Sequence, residues 1–157
     1  MPTSDRGSER RAPAGRRARG FTLIEVLAAL GIAGVLSSLA WPSFEGSLQR
    51  ARRADASLAV AQVQIAQERW YANRGRYAGL AELRLSERSS AGHYRVAVTD
   101  ADEQGYVVQL VASGAQARDA SCRTLQLSVA PGQTTRASGP DERLGNDDAA
   151  NRRCWNL

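Results

Sequence analysis

The first part of the chain contains one long apolar run that carries a single charge. Residues 21–40 are apolar or small, apart from Thr22 and the carboxylate of Glu25. About 20 such residues form a helix long enough to cross the hydrocarbon core of a bilayer. Pro42, just beyond the run, predicts a kink or an interruption. The pattern therefore predicts a transmembrane helix over residues 21–44.

A helical pattern resumes after the apolar run and continues to residue 73. Apolar residues recur there at spacings of three and four, which is the period of an amphipathic helix, and Asn73 with Gly75 supplies a stop signal. A helix over residues 21–73 would be roughly 80 Å long. Since one small domain cannot bury that length, we expect half of it to lie in a membrane or against other subunits. The two apolar stripes are Ala51, Ala54, Leu58, Ala61 and Ile65, and Ala56, Val60, Val63 and Trp70.

The remainder of the chain alternates between apolar and polar residues with a period of two. Three such segments, 94–99, 106–111 and 124–129, predict strands, and a short fourth strand is expected over 134–137. The sequence TDADEQG between the first two segments is typical of a hairpin loop. We therefore predict an α+β fold, in which the long N-terminal helix packs on an antiparallel sheet of three or four strands.

The polar, turn-rich tail that follows the sheet contains one of the two cysteines. Cys122 and Cys154 fit no zinc-binding pattern, because no CxxC exists and His93 is the single histidine. On the exported side of a membrane, one disulfide is the natural interpretation, and two unpaired buried thiols are the alternative. The bond would close the C-terminal loop and contribute about 3–4 kcal/mol. Trp155 is expected to pack on the sheet or the bond rather than on the surface.

The charge of the chain is concentrated at its beginning. Residues 1–20 hold six arginines against two acids, a net +4, so residues 21–157 carry only +1 of the total of +5. An arginine-rich N-terminal flank places the N-terminus in the cytoplasm and the body across the membrane. The total charge is therefore a weak argument for nucleic-acid binding.

A secretory signal peptide is the main competing interpretation of the apolar run. The sequence Ser38-Leu39-Ala40 resembles its cleavage site, which would leave Trp41 as the first residue. Two features count against it, the long leader and Glu25. A charged side chain costs about 2.5–3.5 kcal/mol at the centre of an inserted helix and less near its end. We therefore hypothesise that Glu25 has a function and that its carboxylate pairs with another group.

The junction at Gly20 resembles the N-terminus of type IV pilins and the related pseudopilins. The matching residues are Gly20, the following Phe21-Thr22-Leu23-Ile24-Glu25, the basic leader and Pro42. The resemblance implies that a prepilin peptidase cuts between Gly20 and Phe21 and that the new Phe21 amine is methylated. It also implies that Glu25 pairs with the N-terminal amine of a neighbouring subunit. Pairing of Phe21 with Glu25 inside one chain is the alternative, since residues i and i+4 share a helix face.

Later segments are similar to PilE-type minor pilins. These are RRADA, QERWYANRGRYA, the strand that begins with cysteine, and CW near the C-terminus. The resemblance implies three parts: a cleaved leader, 1–20; a transmembrane and filament-core helix, 21–44; and a periplasmic or extracellular domain, 45–157. It implies a single-pass inner-membrane protein that later joins an extracellular pilus, with other pilins and the assembly machinery as partners. The pilus would serve adhesion, twitching motility or DNA uptake.

The residues suggest neither an enzyme nor a metalloprotein. His93 alone cannot build a triad or a multi-histidine site, and no phosphate-cradling glycine loop is present, so no cofactor is expected. Asp100, Asp102 and Glu103 lack the later ligands of a calcium-binding EF-hand and are better explained as a charged hairpin loop.

Two functions compete with that of a pilus subunit. One is a pseudopilin of type II secretion. The other is a pilin that captures DNA, since arginines beside aromatic rings suit phosphate contact and base stacking. The opposing interpretation is a solvated arginine face. The candidate DNA contacts are Arg74 and Arg76 beside Trp70 and Tyr71, and Arg152 and Arg153 beside Trp155.

Overall fold

The computed structural model describes residues 20–157, without the side chains of residues 39–43. The predicted leader therefore lies outside the described residues, apart from Gly20. The chain divides into two compact units, Met1–Ala40 and Trp41–Leu157, which are described separately below.

One long helix dominates the N-terminal half of the chain. Helix α1 extends over Leu23–Arg74, 52 residues in all, so the predicted long helix is confirmed. Its helical backbone continues through Pro42, so the expected interruption does not occur, while the kink stays a prediction. The helix ends where Gly75 adopts a φ of 67° and donates its N–H to the Tyr71 carbonyl at 2.8 Å. The predicted stop signal is thus correct.

The second unit contains a four-stranded antiparallel sheet in the order β1-β2-β3-β4. The register places Val96 opposite Leu110 and Leu110 opposite Leu125, so that one face is apolar throughout. All three predicted strands are confirmed, and the fourth is longer than expected. The strands are β1, Tyr94–Thr99; β2, Tyr106–Ala112; β3, Thr124–Ala130; and β4, Gln133–Gly139.

One stripe of α1 covers the apolar face of this sheet. Ala56, Val60 and Val63 are buried against it, as the second of the two predicted stripes. Leu58 and Ile65, from the first stripe, are 51% and 54% exposed. Only one of the two stripes is buried because a helix can pack only one of its faces against a sheet. The core residues of the sheet are Tyr94, Val96, Tyr106, Val108, Leu110, Ala112, Leu125 and Leu127.

Buried polar side chains of α1 fasten the connecting segments to the helix. Gln67 exchanges two hydrogen bonds with the backbone of Ala78, at 2.7 and 3.0 Å. Asp55 accepts hydrogen bonds from the Ser89 hydroxyl and from the Ala91 and His93 backbone. Burial alone would raise the pKa of the Asp55 carboxyl, but these hydrogen bonds outweigh it and lower the pKa. The shorter helices are α2, Leu80–Leu83; α3, Asp148–Cys154; and two 3₁₀ helices, Gly114–Arg118 and Ala120–Cys122.

Candidate functional site

The first turn of α1 holds Glu25 in a reciprocal pair of hydrogen bonds. The Glu25 N–H donates to the Thr22 hydroxyl oxygen at 3.3 Å, and the Thr22 N–H donates to a Glu25 carboxylate oxygen at 3.5 Å. This arrangement is a capping box, which satisfies two of the free N–H groups at a helix start. The sequence carries the signature of this cap, Thr-x-x-Glu before an apolar run, but the cap was not among the predictions above. Glu25 thus has a partner within its own chain.

The first unit presents large apolar side chains on its surface. Phe21 is 82% exposed, while Ser37 and Ser38 turn their hydroxyls back to helix carbonyls, each at 2.7 Å. Within residues 20–157, no helix combines the length and the apolar content that crossing a bilayer requires. The membrane insertion of residues 21–44 stays a prediction. The other exposed apolar residues of this unit are Leu23, Ile24, Val26, Leu27, Leu30, Ile32, Val35 and Leu36.

A disulfide fixes the C-terminal region of the second unit. Cys122 and Cys154 are bonded, with Cα atoms 5.3 Å apart, so the predicted bond is confirmed. Next to it, Trp155 is 5% exposed and donates its indole N–H to the Ala137 carbonyl at 3.1 Å. Trp155 therefore packs on the sheet, as expected, and its ring is not accessible to stack on a base.

The two predicted arginine pairs lie in different surroundings. The Arg74 guanidinium lies 5.2 Å from the centroid of the Trp70 ring, a cation–π contact. Arg76 instead forms an ion pair with Glu82 at 2.7 Å. That hydrogen bond is the main reason why the pKa of the Glu82 carboxyl lies below its ordinary value. Of this pair, Arg74 has the less compensated charge.

The second arginine pair lies at the C-terminal end of α3. Arg152 and Arg153 are exposed, and the Arg153 carbonyl accepts a hydrogen bond from Arg53 at 2.9 Å. Arg153 lines a depression beside the disulfide together with Arg50, whereas Arg74 lines a depression at the end of α1. The two pairs therefore do not form one surface.

The acidic residues Asp100, Asp102 and Glu103, which lack the spacing of a calcium-binding loop, lie in the hairpin between β1 and β2. Asp102 accepts the backbone N–H groups of Gln104 and Gly105, at 2.7 and 2.9 Å, so its carboxylate shapes the β1–β2 turn. Among residues 20–157, no group of three or more His, Cys, Asp or Glu side chains is arranged to hold a metal ion. The hairpin predicted for TDADEQG is confirmed.

Comparison with known proteins matches both parts of the chain to described families. The family model "Type IV minor pilin ComP, DNA uptake sequence receptor" matches residues 42–126, more than half of the chain. The model "Prokaryotic N-terminal methylation motif" matches residues 15–41. The chain is also 32% identical over 88 residues to "Type IV major pilin protein PilA" of Myxococcus xanthus (strain DK1622). That alignment covers 55% of this chain and 40% of the relative.

Proposed function

Because the chain belongs to the type IV minor pilin family, we propose that it is a subunit of a type IV pilus and that it matures and assembles in the following way. A prepilin peptidase cuts between Gly20 and Phe21, the Phe21 amine is methylated, and the chain waits in the inner membrane as a single-pass protein. The assembly machinery then moves it into the filament. Its role is structural rather than enzymatic.

The exposed apolar surface of α1 is the observation that carries this proposal. In the second unit, Leu58 and Ile65 are half exposed although they lie on the same helix as the core residues. In the first unit, nearly every large side chain is exposed. Monomeric soluble proteins seldom expose large contiguous apolar patches. Packing against lipid before assembly, and against the helices of other pilins afterwards, would bury these side chains.

Mass spectrometry of the mature chain tests the maturation step. We expect an N-terminus at Phe21 that carries one methyl group. An N-terminus at Trp41 would instead identify a secretory signal peptide and would contradict the proposal. In the organism, deletion of the gene should remove surface pili and leave exoenzyme secretion intact, whereas loss of secretion with normal pili would support the pseudopilin alternative.

We also propose that this subunit captures DNA during uptake. The matched family is described as a DNA uptake sequence receptor, and the second unit exposes several arginines that have no carboxylate partner among residues 20–157. The test is binding of duplex DNA by the full-length chain in non-ionic detergent, at several salt concentrations. Affinity should fall steeply with salt, since arginine contacts release counterions from the phosphates. Absence of binding, or binding that ignores salt, would refute this role.

A further inference from the structure

A groove with basic walls lies between the last turns of α1 and the segment that follows α2. It consists of two adjoining depressions of about 620 and 840 Å³, which share Ala66, Arg69, Arg84 and Leu85. Arg88 lines one depression, and Arg74 lines the other together with Trp70. We call this feature the basic groove and define it by Arg69, Arg74, Arg84 and Arg88.

The positive charge of the basic groove is not compensated from within. Arg69, Arg84 and Arg88 are exposed, and none of them forms an ion pair with a carboxylate of residues 20–157. Glu82 is the acidic residue among the described lining residues, and it is already paired with Arg76 at 2.7 Å. The groove therefore has a strong local positive charge, although residues 21–157 carry a net charge of only +1.

Trp70 adds a second observation at the same place. The face of the Trp70 ring holds the Arg74 guanidinium at 5.2 Å, which limits the positions that this arginine adopts. The groove thus offers one cation positioned by an aromatic ring and three further cations.

We infer that the basic groove binds the phosphate backbone of duplex DNA, an inference that rests on the DNA-capture role proposed above. Guanidinium groups match phosphate oxygens in charge and in hydrogen-bond geometry. Trp70 is the aromatic residue that lines the groove in the described part of the chain, and Arg74 already occupies its face. Base stacking is therefore not provided here. Since phosphate contacts carry no sequence information, the groove supplies affinity, and any sequence preference must come from another surface.

An acidic segment of a second copy is the competing occupant. Asp141, Glu142, Asp147 and Asp148 lie in the C-terminal loop and at the start of α3. Two of these carboxylates are already engaged locally, because Asp147 accepts the Ala150 N–H at 2.7 Å and Asp141 accepts the Arg143 N–H at 2.9 Å. DNA, whose charge is continuous, is the better match for four arginines along one groove.

Titration of the full-length chain in non-ionic detergent with a fluorescent duplex tests the inference. The variant is Arg84→Gln with Arg88→Gln, and the matched control is Arg118→Gln with Arg143→Gln, two exposed arginines that do not line the groove. Each lost phosphate contact should lower the slope of log K against log salt by about 0.9, which corresponds to about 5-fold in affinity at 0.15 M salt. The double variant should therefore bind about 30-fold more weakly, with a slope about 1.8 shallower.

The outcomes separate this inference from the function on which it rests. Equal weakening for duplexes of different sequence, with the control unchanged, supports the groove. If the unaltered chain binds DNA and the double variant binds equally well, the groove is not the site, while the DNA-capture role stands. If the unaltered chain binds no DNA, that role itself fails. A double variant that keeps DNA binding but is lost from pili would assign the groove to the acidic segment of another copy. Circular dichroism of all variants checks that each of them folds. The single variant Arg69→Gln tests the groove independently if the double variant fails to fold.

Discussion

Removal of the Cys122–Cys154 bond should reduce the stability of the second unit substantially. The cysteines are 32 residues apart in the chain. For a loop of that length, the chain-entropy expression gives about 3.7 kcal/mol at 25 °C. That is a large share of the roughly 5–15 kcal/mol that stabilises a typical domain. The physical reason is that the unfolded chain gains conformations when the bond is absent, whereas the folded chain gains few.

The structure also predicts that the C-terminal region stays attached after the bond is removed. Asn151 of α3 donates to the Arg136 carbonyl at 2.8 Å, and the Ser138 hydroxyl donates to Asn151 at 2.9 Å. Trp155 is buried beside them, and its indole N–H donates a hydrogen bond to the Ala137 carbonyl. These contacts do not depend on the disulfide. Its loss should therefore lower the free energy of global unfolding without releasing α3 from the folded protein.

Urea unfolding of the full-length chain in non-ionic detergent measures this effect. Circular dichroism and tryptophan fluorescence are compared for the unaltered chain, with and without reductant, and for Cys122→Ser with Cys154→Ser. The double variant serves as the control, because reductant should leave it unchanged. A loss of less than about 1 kcal/mol would refute the chain-entropy estimate for this loop. A red shift of tryptophan emission before unfolding would instead show that α3 detaches.

Two further predictions concern packing and pH. Gly105→Ala should lower the free energy of unfolding by about 1–3 kcal/mol, because its Cβ would collide with the Val129 carbonyl oxygen; Gly145→Ala, where a Cβ meets no atom within 4 Å, is the control in thermal melts. Burial raises the pKa of Tyr94 to about 12, above the value of about 10 for an unfolded chain. The neutral phenol therefore stabilises the fold fully below pH 10, and this stability should be lost as the pH rises towards 12. In urea titrations, Tyr94→Phe should reduce that loss, and an unchanged pH profile would contradict the assignment.

The strands were predictable because the regular spacing of their apolar residues is visible in the sequence alone. The alternation at Tyr94, Val96 and Val98 identified β1, and the equivalent patterns identified β2 and β3, since a half-buried strand must alternate. The stop at Gly75 was predictable because few residues other than glycine adopt a positive φ at low cost. The disulfide followed from the number of cysteines and the expected compartment.

The remaining features depend on neighbours that are distant in the sequence. Two stripes of α1 had the helical period, and only the position of the sheet decides that Val60 is buried and Leu58 exposed. Arg76 looked equivalent to Arg74 until the fold placed Glu82 beside it. The basic groove was missed for the same reason, because Arg84 and Arg88 come from a segment whose position relative to α1 is set by tertiary contacts. The pairing of Thr22 with Glu25, by contrast, joins residues only three apart, so the sequence alone was sufficient to predict it.

Glu25 has two candidate partners, and its substitutions can be chosen to separate them. One is the Thr22 N–H, whose hydrogen bond Glu25 accepts in the capping box. The other, which we propose from the resemblance to type IV pilins, is the Phe21 amine of a neighbouring subunit. Glu25→Gln keeps the cap, since glutamine also serves at this position of a capping box, but it removes the charge. Glu25→Ala removes both, and Thr22→Val removes the hydroxyl while it leaves the carboxylate in place.

We expect Glu25→Gln to be as defective as Glu25→Ala in entering pili, while Thr22→Val assembles nearly normally. An amine without its carboxylate is left uncompensated in an apolar filament core, which is far more costly than a frayed first turn. Membrane insertion should be intact or improved in both Glu25 variants, since a charge costs about 2.5–3.5 kcal/mol at the centre of an inserted helix and less near its end. Immunoblots that compare sheared pili with the membrane fraction measure both quantities. Normal assembly of Glu25→Gln together with failure of Glu25→Ala would show that the carboxylate acts through the cap, and the proposed pairing between subunits would have to be abandoned.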